Sequence, residues 1–126
     1  MVDLSKRAID GLITFLYYGD LDKAEKFYRE AMGLELTIDQ GWAKIFKLAE
    51  NAHVGLVDGN RGYHRPSPTK PVMITILVPD IDAWYRRFKE LGIPTLTEPK
   101  DDNQLKTRMF LLNDPEGYVI EIQHFY

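Results

Sequence analysis

The 126-residue chain contains no cysteine, which removes disulfides, thiolate metal centres and a cysteine nucleophile from consideration and favours a reducing, intracellular setting. It also lacks any apolar stretch near the roughly 20 residues that a membrane-spanning helix needs. Lys6 and Arg7 precede a short apolar run, but Asp10 interrupts it and no small-residue cleavage pattern follows, so the N-terminus does not read as a secretion signal. A cytoplasmic location with no membrane partner is expected. Nor is there an excess of positive charge. Net charge is −3, and Lys and Arg are scattered among acids rather than gathered in a stripe, so phosphate neutralisation, the basis of nucleic-acid binding, has no support. A mildly acidic surface favours a cationic or neutral ligand.

What is present is a repeat. Ile13 to Gly33 and Met73 to Gly92 each read as a β-rich run, an Asp placed to cap a helix, and a helix closed by Gly. Asp20 to Asp80, Asp22 to Asp82 and Glu30 to Glu90 repeat at an offset of 60, and Gly33 to Gly92 at 59, so the second helix is one residue shorter. In the first helix Leu21, Ala24, Phe27, Tyr28, Ala31 and Met32 recur at three- and four-residue spacing and form an apolar face that must cover a sheet.

Strands are expected at 13–18, 34–38, 42–48 and 53–57 in the first half, and at 73–78, 94–96, 108–112 and 118–123 in the second. Residues 98–104 read as a polar stretch, with the run from Lys100 as a solvated loop. Asn113-Asp-Pro-Glu-Gly117 is a turn. The Gly- and Pro-rich segment 59–71 has no periodicity and links a module at about 11–58 to a second at about 72–126. Each half therefore reads strand, helix, strand, strand, strand. Alone it would leave its helix face and sheet edges uncovered, so the expectation is one α+β domain of 1–126 built from two tandem βαβββ modules. The chain is long enough to remove roughly two-thirds of its extended surface from water. A ferredoxin-like sandwich begins similarly but has fewer strands per half.

The repeated strand-Asp-helix units, the run Phe27-Tyr28-Arg29 with Gly33-Leu34, and the closing Asp114-Pro-Glu-Gly-Tyr-Val-Ile-Glu121-Ile together resemble the vicinal oxygen chelate superfamily of glyoxalases, bleomycin-resistance proteins, fosfomycin-resistance enzymes and extradiol dioxygenases. The resemblance implies curved mixed sheets that form a cup-shaped cavity, a small-molecule ligand and, at this size, a homodimer. In metal-dependent relatives four cup-lining positions supply His, Gln or Glu. By motif these fall on Ile13, Gly55, Met73 and Glu121, of which only Glu121 can bind a divalent ion. A stable centre needs three or four donors, so no metal or other cofactor is expected, with a divalent ion at Glu121, assisted by His53, as the alternative.

Strand alternation places Ile13, Phe15 and Tyr17 on one face, with His53, Gly55 and Val57, Met73, Thr75 and Leu77, and Val119, Glu121 and Gln123 completing the cup lining. The pocket is apolar and aromatic, the usual character of a small-molecule site. An unpaired, desolvated Glu121 would suit proton transfer, and the enzyme reading is a metal-independent glyoxalase-like lyase or isomerase, with Glu121 as base or acid and His53 or Tyr17 assisting. The competing reading is a non-catalytic, bleomycin-resistance-type protein that sequesters a flat or cationic ligand by stacking on Phe15, Tyr17 and Trp42, with Met73 and Thr75 also lining the cup. Tyr63, His64 and Arg65 make the linker chemically equipped. It reads as a solvated connection, with a lid over the cup as the alternative. Asp20 and Asp80 are caps and Trp84 is core.

Overall fold

The computed structural model describes residues 8–126. The loop expected over 1–10 therefore lies largely outside the described residues; 8–11 carry no regular structure. In chain order the elements are β1 (Leu12–Tyr18), α1 (Leu21–Lys26) continued by a π-helical turn (Phe27–Ala31), β2 (Glu35–Asp39), β3 (Ala43–Ala49), β4 (Ala52–Asp58), β5 (Met73–Leu77), α2 (Ile81–Glu90), β6 (Lys100–Asp102), β7 (Thr107–Asn113) and β8 (Val119–Phe125). They form two four-stranded mixed sheets of the same design, ordered β1-β4-β3-β2 and β5-β8-β7-β6. In each, the first strand runs parallel to the last and the rest are antiparallel. This is the pair of βαβββ modules that the repeat implies.

The local reasons are those the sequence carries. Asp20 accepts from the Lys23 amide and Asp80 from the Ala83 amide, so both helices start at a side-chain cap. Gly33 and Gly92, at φ 69° and 70°, take the left-handed turn that ends each helix. The extra residue of the first repeat has a place: it is absorbed by the π turn, where the Met32 amide bonds back five residues to the Phe27 carbonyl.

Two expectations in the second module are corrected. Residues 94–96 are not a strand, and the polar run from Lys100 is one. Lys100, Asp101 and Asp102 pair with Met109, Arg108 and Thr107 at the sheet edge. The Leu96 and Thr97 amides do reach the Leu111 carbonyl, but Pro94 and Pro99 have no amide to extend that contact into a ladder.

The helices cover one face of each sheet. Leu16, Tyr18, Val54 and Leu56 from the first sheet, Phe110, Leu112, Ile120 and Ile122 from the second, Ala24, Tyr28, Ile81 and Phe88 from the helices, and Met32 at the end of the π turn belong to one buried cluster. Each large apolar side chain buried there contributes roughly 1.5–3 kcal/mol. Trp84 packs against this cluster beside Phe88, as core. Alternation leaves the odd-numbered residues of β1, β4, β5 and β8 on the opposite, helix-free face.

The modules are joined by the closing turn. Asp114 is buried and its carboxylate accepts from the hydroxyls of Tyr18 at 2.5 Å and Tyr28 at 2.9 Å, and from the amides of Glu116 and Tyr118, both at 3.0 Å. Glu116 accepts from the Gly19 and Asp20 amides. The Tyr118 hydroxyl accepts from the Tyr17 amide and donates to the Tyr17 carbonyl.

Candidate functional site

The sheet registers put the cup positions where strand parity expects them. Phe15 faces Gly55 across β1 and β4, and Thr75 faces Glu121 across β5 and β8, so the two pairs are equivalent in the repeat. The consequences differ. At Gly55 the Phe15 ring lies across the backbone: a Cβ there would sit 2.4 Å from Phe15 Cδ1 and 3.3 Å from Ile13 Cγ2. Glycine is what lets the aromatic ring occupy the place that a ligating side chain would take.

A metal fails on the same ground. Ile13 offers no donor atom and Met73 only a soft thioether, position 55 is filled by the neighbouring ring, and Glu121 Oε1 accepts from the Thr75 hydroxyl at 2.8 Å. Among the described residues no three His, Asp or Glu side chains come together. The donor set does not fit a divalent ion.

Glu121 is neither unpaired nor fully buried, so a proton-transfer role for it would rest on orientation by its partner rather than on desolvation. It is only partly buried, and its partner Thr75 is exposed. His53 is half-buried, registered against Ile13 on β1 and Lys47 on β3. His124 is turned away, its Nδ1 3.0 Å from the Val78 carbonyl.

Two adjoining hollows do form, both on the helix-free face at β1. The first, about 170 Å³, is lined by Phe15, Tyr17, Trp42 and Tyr63, with Gln40, Ala43, Val57 and Gly62. The second, about 300 Å³, shares Phe15 and Tyr17 and adds His64, Arg65, Ser67, Thr69, Lys70, Pro71, Val72 and Tyr118. Six of the expected site residues, Phe15, Tyr17, Trp42, Tyr63, His64 and Arg65, therefore meet. Glu121, His53, Met73 and Thr75 line neither hollow.

The linker makes this possible. Residues 59–71 are mostly exposed, but the segment is laid against the sheet rather than looped away from it. Gly62 sits so close that a Cβ would be 2.5 Å from Val57 Cγ1 and 2.7 Å from Tyr17 Cε1. The His64 ring stands edge-on to Tyr17, centroids 5.3 Å apart. The Arg65 guanidinium donates to the Gly62 carbonyl at 2.6 Å and the His64 carbonyl at 3.2 Å, which ties the strap to itself. Arg61 lies over the Trp42 ring at 5.4 Å and Lys70 over Tyr118 at 4.8 Å. Sequence reasoning missed Lys70, Ser67 and Thr69. The available signal was that 59–71 holds Arg61, Arg65 and Lys70 but no acid.

Among the described residues no helix is long and apolar enough to cross a membrane. Comparison with solved structures finds the same architecture repeatedly. A lactoylglutathione lyase from Agrobacterium tumefaciens is 26% identical, with 93% of this chain and 92% of that one aligned at a TM-score of 0.74. A glyoxalase/bleomycin resistance protein from Catenulispora Acidiphila DSM 44928 is 23% identical over 92% of this chain and 98% of its own, TM-score 0.72. TioX from Micromonospora sp. ML1 is 18% identical over 92% and 98%, TM-score 0.74. The last two show likeness of fold alone. The model of the Glyoxalase/Bleomycin resistance protein/Dioxygenase superfamily matches residues 11–122, nearly the whole of both modules, and the chain belongs to that superfamily.

Proposed function

We propose that the protein binds a small molecule at the junction of β1 and the linker, seating a flat apolar ring in the hollow of Phe15, Tyr17, Trp42 and Tyr63. The observation that carries this is the convergence of four aromatic side chains from three separate segments, two of them left open to solvent. Phe15 is 43% and Tyr63 91% exposed, a cost that ordinary core packing does not incur. Aromatic walls of this kind favour planar ligands through stacking and apolar contact.

In isothermal titration with the neutral probe naphthalene-2-carboxamide, Phe15→Ala and Trp42→Ala are each expected to weaken binding tenfold or more, about 1.4 kcal/mol, with melting temperature little changed for Phe15→Ala. Unaltered affinity in both variants would overturn the assignment.

A second reading, glyoxalase-like lyase or isomerase chemistry, draws on the Thr75–Glu121 hydrogen bond in the second module and on the similarity to a lactoylglutathione lyase. In it Glu121 moves the proton, oriented by Thr75. Glu121→Gln is then expected to slow turnover of a hemithioacetal at least 100-fold, and undiminished turnover removes it.

A further inference from the structure

We infer that the ligand is an aromatic anion, its ring in the first hollow and a carboxylate or sulfonate on that ring held in the second by Arg65 and Lys70. This rests on the ring-binding reading above and names the ligand class. The two hollows share Phe15 and Tyr17, so one small molecule reaches both. Besides the phenols of Tyr17 and Tyr118, the polar side chains of the second hollow are His64, Arg65, Ser67, Thr69 and Lys70, all hydrogen-bond donors or cations, with no Asp or Glu among them.

That composition runs against the chain as a whole, which has 19 acids to 16 bases. Net charge points to a cationic or neutral ligand, but the field a ligand meets is set by the groups lining its site. Among the described residues neither Arg65 nor Lys70 is paired with a carboxylate. Arg65 is held by carbonyl contacts through Nη1 alone, which leaves Nη2 and Nε for a bidentate acceptor. Ser67 and Thr69 supply two further hydroxyl donors. A cationic ring meets the opposite situation, because Arg61 already stands over Trp42.

The test is isothermal titration of three probes of one shape: naphthalene-2-carboxylate, naphthalene-2-carboxamide and naphthalen-2-ylmethylammonium. The carboxylate is expected to bind at least tenfold more tightly than the amide, and the ammonium most weakly. Lys70→Ala should weaken the carboxylate three- to tenfold and leave the amide within twofold, the amide reporting that the variant is folded. Arg65→Ala, which also releases the Gly62 and His64 carbonyls of the strap, should weaken the carboxylate at least threefold more than it weakens the amide. Equal binding of carboxylate and amide, or tightest binding of the ammonium, overturns the anionic class and leaves the ring site standing. Binding of none of the three overturns both.

Discussion

Replacing Asp114 with alanine lowers the stability of the folded chain by about 3–5 kcal/mol, the largest effect expected of any single polar substitution. Its carboxylate accepts four hydrogen bonds, two from tyrosine hydroxyls and two from amides of its own turn. Each hydroxyl carries one proton, and both are directed at the carboxylate, so the 3.2 Å between the Tyr18 and Tyr28 oxygens is a close approach enforced by the shared acceptor. Removing that acceptor lets one hydroxyl turn to the other, 3.2 Å away, but leaves one buried donor unsatisfied, roughly 1–3 kcal/mol, and removes the two amide bonds that close the turn, about 1 kcal/mol each. Thermal unfolding should fall by roughly 10–20 °C for a domain of this size. Tyr28→Phe, which removes one donor and leaves the carboxylate its other three, should cost only about 1–1.5 kcal/mol. A loss below 1 kcal/mol in the Asp114 variant would mean that the cluster does not join the modules. The effect reaches the ligand site, since the same turn positions Tyr118, whose hydroxyl brackets the backbone of Tyr17.

The second large effect is alkaline. Burial pushes the Tyr18 hydroxyl well above the ordinary phenol range, reinforced by Tyr28 and by Asp114. Burial does the same for Tyr28, with the Asp114 charge next in importance. In the folded chain both stay protonated at pH values where the unfolded chain releases its protons. The unfolded state then binds fewer protons than the folded one, so stability declines as pH rises. The contribution is intact below about pH 10, the unfolded tyrosine value. Above it, each residue removes about 1.4 kcal/mol per pH unit, so the pair removes about 2.7. Denaturant unfolding of wild type and Tyr28→Phe between pH 9 and 11.5 isolates one member, since other titrating groups are common to both. The variant should start about 1–1.5 kcal/mol less stable and draw level about one unit above pH 10. Parallel curves across that range would contradict the buried, protonated pair.

Much of this fold was legible because its signals are local. Asp20 and Asp80 cap, Gly33 and Gly92 terminate, and the apolar spacing of the first helix needs no distant partner. Strand parity likewise put Phe15, Gly55, Thr75 and Glu121 on the cup-facing side of their strands; that Phe15 stands opposite Gly55 and Thr75 opposite Glu121 is a matter of register, which alternation alone does not fix. Long-range features were not legible. Asp114 reads locally as a turn residue; its burial depends on tyrosines 86 and 96 positions away. β6 is a strand by backbone pairing to β7 alone, and its side chains Lys100, Asp101 and Asp102 are all exposed, so side-chain preference pointed elsewhere. The one-residue slip between repeats was visible, but not that a π turn takes it up. The linker read as a solvated connection or a lid; its contacts with Tyr17 and Val57 form only once β1 and β4 have paired.

The central claim is that the aromatic hollow at β1 and the linker is where this protein meets its ligand. Titrating isotopically labelled protein with naphthalene-2-carboxamide and following the amide and aromatic NMR signals tests it directly. The account predicts shifts concentrated at Phe15, Tyr17, Trp42, Val57, Gly62 and Tyr63. Shifts gathered instead at Thr75 and Glu121, with the aromatic hollow silent, would contradict it.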